Sequence, residues 1–282
     1  LNNNLGAPPD ARDLLRAHGL SPKRAFSQNF LIQPGAIAQI ADAAAALGSE
    51  VVELGPGLGA LTHALLDRGC GVVAVELDRD MVRVLDAELG AHARLQIVEG
   101  DAAAFDFVAF SASSGSKLVV TGNLPYQATG AILRHVVHHR ALLNGAVLMV
   151  QREVRDRLVA KPGTKEYGAL TVFAQAGFDI DTVCRLRPGS FYPPPKVDSA
   201  VVRLVPREPP LAEETPSLRA IVRAAFQTRR KTLRNALKSL GDDARAGRAA
   251  NAAGIDLGRR GETLDVLEFA RLAEAWDAAG AA

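Results

Sequence analysis

Short apolar runs alternate with helix-period segments along much of this chain. Val51-Val-Glu-Leu54, Gly71-Val-Val-Ala-Val75, Leu95-Gln-Ile-Val-Glu99 and Leu118-Val-Val120 each read as a buried strand. Residues 10–18 predict a short helix and 35–47 an alanine-rich one. From 51 to about 205 the alternation of strand and helix predicts an α/β fold with a parallel sheet. Leu170–Ala176 and Ala200–Leu204 are expected to add an antiparallel hairpin at its edge, and Ser111–Ser116 a flexible loop. The proline-rich stretch 206–216 reads as a linker, and helical periodicity dominates beyond it, punctuated by Gly241, Gly247, Gly254 and Gly261. On a helical wheel Val222, Phe226, Leu233, Leu237 and Leu240 share one stripe. Arg223, Arg230, Lys231, Arg234 and Lys238 fall on the adjoining flank.

Three regions follow: an N-terminal extension 1–20, a larger domain 21–205 and a small helical domain 206–282. Leu1-Asn-Asn-Asn-Leu-Gly6 is expected to be a fusion-linker remnant and is set apart from the fold. At 282 residues, 48% of them hydrophobic, the chain is long enough for such a pair of domains. A net charge of +2 does not announce a nucleic-acid binder, but residues 219–238 hold seven Lys or Arg and no Asp or Glu. No apolar run approaches eighteen residues and no signal peptide is evident, so a cytoplasmic protein without a membrane partner is expected. Cys70 and Cys184 sit in no motif, which suits a reducing compartment and disfavours thiolate catalysis. His135, His138 and His139 share one helical segment without a carboxylate or thiol partner, and no metal site is expected there.

The chemistry concentrates in four short segments. The first strand runs into Gly55-Pro-Gly57-Leu-Gly59, a turn in which the backbone can approach a ligand closely. Glu76 ends the second strand, 21 residues after Gly55, where Rossmann-type proteins bind ribose hydroxyls. The turn is Gly-x-Gly-x-Gly rather than the dinucleotide pattern and carries no Lys or Arg, which makes a pyrophosphate a poor ligand for it. Asp101 closes the third strand and can accept from an adenine amine; taken alone it reads as a loop cap, and only its order with the other segments favours the amine. Asn123-Leu-Pro-Tyr126 groups an amide, a carbonyl held before proline, and an aromatic ring. Asn123 and the Leu124 carbonyl can accept from an exocyclic amine while Tyr126 lies on the base, though a strand ending in a turn with a core Tyr would show the same four residues.

Glu53-Leu-Gly-Pro-Gly-Leu-Gly59, Val75-Glu-Leu-Asp78, Glu99-Gly-Asp101 and Asn123-Leu-Pro-Tyr126 resemble, in order, class I S-adenosylmethionine-dependent (Rossmann-like) methyltransferases that act on adenine. Gln28-Asn-Phe-Leu31 and Phe191-Tyr-Pro-Pro-Pro-Lys-Val-Asp-Ser199 narrow the resemblance to the ribosomal RNA adenine dimethyltransferases. Ala225-Phe-Gln-Thr-Arg-Arg-Lys-Thr-Leu-Arg-Asn-Ala-Leu237 is similar to the KsgA/RsmA branch rather than the Erm resistance methylases. The resemblance spans roughly residues 21–275.

That resemblance implies S-adenosylmethionine as cofactor, with Asn29 and Leu31 closing over it, Gly55 and Asn123 lining it, Glu76 on its ribose and Asp101 on its adenine. It implies methylation, twice, of N6 of two adjacent adenosines in a hairpin loop near the 3′ end of small-subunit rRNA, within an immature subunit and by a monomer. Asn123, Leu124, Tyr126 and Phe191 form the implied catalytic set, with Tyr126 and Phe191 sandwiching the base. The three prolines 193–195 exceed the minimal family pattern and are expected to leave Phe191 in place. Arg223, Arg230, Lys231, Arg234 and Lys238 are the candidate RNA contacts. An Erm-type enzyme, a methyltransferase-fold assembly factor and a Rossmann oxidoreductase are the alternatives.

Overall fold

The computed structural model describes residues 9–23, 26 and 28–280; the expected linker remnant at residues 1–6 lies outside them. The chain divides into two compact units. One takes the residues up to Arg155 together with Asp181–Pro206, the other Asp156–Ile180 with Arg207–Ala282. This differs from a single boundary near 206, because the excursion 156–180 leaves the first unit and returns.

The first unit is built on a seven-stranded sheet. The strands are β2 (Glu50–Leu54), β3 (Gly71–Glu76), β4 (Leu95–Glu99), β5 (Leu118–Asn123), β6 (Leu143–Gln151), β7 (Phe178–Leu186) and β9 (Ser199–Pro206), in the order β4-β3-β2-β5-β6-β9-β7. β1 (Phe30–Leu31) and β8 (Phe191–Tyr192) form a separate antiparallel pair. β2 runs parallel to both β3 and β5, β4 and β6 extend the parallel set, and β9 turns antiparallel against β6. Helices Pro34–Ala45, Ala60–Asp67, Arg79–Leu89 and Thr129–His138 alternate with these strands. Central strands buried on both faces need continuous apolar side chains, and Val51, Val52, Leu54, Val119 and Val120 are at most 1% exposed.

The chain moves outward from β2 through β3 to β4, then crosses back to β5 and continues the other way. The strand order therefore reverses between β2 and β5, where open α/β sheets form a crevice at the carboxyl ends of the strands. Gly122 allows the two strands to meet there. Its φ is +150°, and a Cβ on it would lie 2.2 Å from the Leu54 carbonyl oxygen.

Three expectations about secondary structure are corrected. Ser111–Ser114, expected in a flexible loop, close the helix Phe107–Ser114. Leu170–Ala176 is part of a helix, Ala169–Gly177, not a strand; β7 follows it and borders β9 instead. Thr171, Val172, Phe173, Ala174 and Ala176 are all buried, so the run lacks the polar face that distinguishes a helix from a strand. The basic segment is likewise not one helix. Pro216–Gln227 ends, a link follows, and Leu233–Leu237 begins a second helix. The break has a cause in the backbone bonding: Leu233 N–H donates to Arg259 O at 2.8 Å and Arg234 N–H to Leu257 O at 3.0 Å, rather than to a preceding turn.

In the second unit these helices pack with Asp243–Ala253 and Val266–Gly280. Phe226 links Tyr167 and Phe269 through ring contacts of 5.9 and 6.0 Å, and Val222, Leu233 and Leu237 are fully buried. The apolar stripe read from the sequence does hold this unit together, although two helices share it.

Candidate active site

A cavity of about 870 Å³ opens over the switch between β2 and β5. Asn29, Leu31, Gly55, Glu76, Asp101, Asn123, Leu124 and Tyr126 all line it, from separate stretches of chain. Its volume falls within the ~300–1,000 Å³ typical of ligand pockets.

The glycine turn forms one wall. Gly55, Gly57 and Gly59 have φ of +72°, +57° and +81°, a left-handed path that suits residues without a Cβ. At Gly57 a Cβ would approach the Phe30 ring to 3.0 Å. Glu76 at the end of β3 ties the turn down: one carboxylate oxygen accepts from Gly57 N–H at 3.0 Å and the other from Asp78 N–H at 2.9 Å. Burial pushes its pKa up, opposed by those backbone bonds. Asp101 is exposed and caps a single turn through Ala103 N–H at 2.8 Å. It is a loop cap that also faces the cavity.

Glu53 lies beneath the turn, 1% exposed, and accepts from the Thr62 hydroxyl at 2.6 Å. Burial raises its pKa from 4.5 to about 8, partly offset by that hydrogen bond, so the carboxyl is largely protonated at neutral pH. Composition and spacing placed Glu53 in the motif but carried no sign of this protonation, because desolvation depends on the packed sheet around it.

The opposite wall is the Asn123–Tyr126 turn. Asn123 ends β5, and its Nδ2 donates to the Asn29 backbone oxygen at 2.8 Å. Leu124 N–H donates to Met149 O at 3.1 Å and the Thr129 hydroxyl to Pro125 O at 3.0 Å, which anchors the turn from both sides. Tyr126 is partly buried, its hydroxyl 3.3 Å from Ser199 Oγ, and burial pushes the phenol pKa up. Ser199 closes the proline-rich motif that begins at Phe191, and the sequence alone assigns it no role; its 2% exposure and this contact supply one.

Phe191 departs from its expected place. It does not line the cavity but is 3% exposed, in register with Leu31 and packed in a cluster with Leu31, Ile37, Met149 and Val201. Pairing of β1 with β8 fixes alternate side chains on opposite faces, and Phe191 takes the core face. Leu31 and Met149, members of the same cluster, also line the cavity. The sandwich of a base between Tyr126 and Phe191 is therefore not assembled in this structure.

A family model described as ribosomal RNA adenine dimethylase matches residues 19–277. The ribosomal RNA small subunit methyltransferase A of Anaeromyxobacter sp. (strain K) is 46% identical over 276 residues, covering 94% of this chain and 96% of its own. That of Myxococcus xanthus (strain DK1622) is 45% identical over 270 residues, covering 94% of each. The chain belongs to the ribosomal RNA adenine dimethylase family. It is an rRNA adenine methyltransferase of the small-subunit type.

Solved relatives agree with the fold of this enzyme. A dimethyladenosine transferase from Plasmodium falciparum gives a TM-score of 0.73 at 27% identity, covering 89% of this chain and 98% of that one. The 23S rRNA methyltransferase ErmE gives 0.65 at 28% identity, covering 88% and 100%. ErmE superposes less closely than the Plasmodium enzyme at nearly the same identity.

In the second unit the enzyme sorts its cations. Arg219, Arg229 and Arg259 pair with Glu214, Glu262 and Glu268, and Arg245 donates to Trp276 O. Arg223, Arg230, Lys231, Arg234 and Lys238 are exposed, and their side chains form no hydrogen bond or ion pair among the described residues. The five lie on the helix Pro216–Gln227, the link 228–232, the helix Leu233–Leu237 and the 3-10 turn Lys238–Leu240, so the single helical flank expected from the sequence is corrected to four successive segments. No helix among the described residues is long and apolar enough to cross a membrane, and they contain no group of His, Cys, Asp or Glu that could hold a metal ion.

Proposed function

We propose that this enzyme uses S-adenosylmethionine to dimethylate N6 of two adjacent adenosines in a hairpin loop near the 3′ end of small-subunit rRNA. The observation that carries the reading is the cavity itself: the Asn123–Tyr126 turn, the Glu76 carboxylate and a left-handed glycine cradle face one space. The cradle fits the cofactor because its three left-handed glycines present bare backbone to the cavity. Glu76 would hold the ribose, Asp101 the adenine, and Asn29, Leu31 and Gly55 would enclose the rest.

When bound, S-adenosylmethionine supplies an electrophilic methyl group on a sulfonium. The residues of this chain supply position and charge. An aromatic amine is a weak nucleophile because its lone pair is conjugated with the ring. Asn123 Oδ1 and the Leu124 carbonyl accept its two hydrogens, which favours a more tetrahedral nitrogen. Tyr126, steadied by Ser199, stacks on the base after it leaves the RNA stack. The methylated nitrogen carries a positive charge and loses its proton to water, so no general base is required. Phe191, packed with Leu31 in the core cluster, is assigned to support of the Leu31 wall.

The five unpaired cations of the second unit are proposed phosphate contacts, acting on an immature small subunit in the cytoplasm, with the enzyme as a monomer. The deciding experiment is methylation of unmodified small subunits with labelled cofactor, followed by mapping of the modified bases. Two neighbouring N6,N6-dimethyladenosines support the reading; label in large-subunit RNA, or none with intact binding, overturns it.

A further inference from the structure

Asp78 follows Glu76 by two residues and is 2% exposed. A helix cap needs one contact from it, and Asp80 N–H supplies that at 3.0 Å. The carboxylate does more. Lys23 Nζ reaches one oxygen at 2.6 Å, and Gln28 Nε2 reaches the other at 2.7 Å. The far end of Gln28 is also held, since its Oε1 accepts from Lys23 N–H at 2.8 Å. Lys23 Nζ lies 2.5 Å from Asp80 as well.

The residue after Gln28 is Asn29, whose backbone oxygen receives Asn123 Nδ2. A carbonyl oxygen only accepts, so this contact settles which end of the Asn123 amide faces Asn29 and leaves Oδ1 for another donor. A flipped amide would present its NH₂ to the substrate amine and repel it. The carbonyl can orient the amide only if it is itself held in place, and residues 28–29 belong to neither helix nor strand. Gln28 is tied by its side chain to Asp78 and by its backbone N–H to Lys23 O at 3.4 Å; on the other side β1 begins, paired with β8.

We propose that Asp78 is a positioning residue for methyl transfer, acting through Gln28 and Asn29 to fix the Asn123 amide with its oxygen toward the substrate amine. The chain of hydrogen bonds also passes through the Asp78 backbone N–H to Glu76, so the same residue joins the two walls of the cavity. The proposal rests on the reading of Asn123 as acceptor of that amine.

The test uses Asp78→Asn, which keeps the size and a capping oxygen, and Gln28→Leu, which leaves the helix cap untouched. Single-turnover methylation of small subunits is measured for each, alone and combined with Asn123→Ala, beside cofactor Kd and Tm. Each single variant should lose about 10- to 100-fold in rate, the range expected from misplaced reacting groups. Cofactor Kd should stay within about twofold, because the backbone bond from Asp78 to Glu76 survives. Neither Asp78→Asn nor Gln28→Leu should slow Asn123→Ala further, since a residue acting through Asn123 has nothing left to orient. Additive losses, or losses matched by weaker cofactor binding, overturn the proposal. If Asn123→Ala keeps the full rate, the reading of the base site fails first and takes this proposal with it. If Asp78→Asn does not fold, Gln28→Leu alone decides.

Discussion

Asn123 Nδ2 donates to the backbone oxygen of Asn29, 2.8 Å away and 94 residues distant in sequence. The bond joins the end of β5 to the stretch that precedes β1, and it leaves one end of the amide directed elsewhere. Asn123→Ala should therefore retain cofactor and RNA binding and lose about 100- to 1,000-fold in kcat, as for removal of one preorganised polar group. The measurement is steady-state methylation beside a thermal melt. A rate loss that tracked a large fall in Tm would return Asn123 to a packing role.

Glu76 carries both a structural and a binding load, because its oxygens hold Gly57 N–H and Asp78 N–H. Glu76→Gln keeps the shape but loses charge, and calorimetry should show S-adenosylmethionine affinity about 10- to 100-fold weaker, the range for hydrogen bonds to a charged group. Unchanged affinity would remove the ribose assignment.

Glu53 makes stability depend on pH. Its carboxyl has a pKa near 4.5 when unfolded and about 8 when folded, raised by burial. The folded state holds the proton more tightly, so this contribution is complete below pH 4.5 and is lost as pH rises through 8. Across that window stability should fall by about 1.4 kcal/mol per pH unit from this group. Denaturant melts of wild type and Glu53→Gln at about pH 5, 7 and 8.5 separate it from other groups: the difference between the two should grow with pH in favour of Gln. A difference independent of pH would mean that Glu53 is ionised in the fold.

Gly122→Ala tests the approach of β5 to β2. A Cβ would stand 2.2 Å from a backbone oxygen, which no rotamer change relieves. We expect about 3 kcal/mol or more of destabilisation, or failure to fold. Gly130→Ala, in a helix with nothing within 4 Å, should be neutral or stabilising by a few tenths of a kcal/mol.

Reversing Arg230 and Arg234 to Glu should spare folding, because the buried Val222, Leu233 and Leu237 are untouched. For every phosphate partner the reversal removes, the salt slope of RNA binding should drop by about 0.7–0.9. Arg229→Glu should instead unfold or loosen the unit, since Arg229 pairs with Glu262. If the double reversal left subunit binding and its salt dependence at wild-type values, these cations are ordinary solvated surface.

Local order in the chain was enough for β2 to β5, the glycine turn, and the positions of Glu76, Asp101 and Asn123–Tyr126. Each is announced within a few residues, by apolar runs bounded by glycine, an acid or proline, and strand-end motifs converge wherever a parallel sheet forms. Periodicity was weaker where burial removed the polar face, as in Ala169–Gly177, or where a neighbouring loop took over the backbone bonds, as at Leu233 and Arg234. Nothing in the sequence announces that Asp78 meets Lys23 and Gln28, that Asn29 receives Asn123, or that Phe191 faces the core. Those relations join residues tens to more than a hundred positions apart, and only the pairing of β1 with β8 and the closing of the sheet bring them within bonding distance. The protonation of Glu53 belongs with them. The sequence determined which groups this enzyme possesses; packing, by excluding water and choosing neighbours, decided their charge and aim.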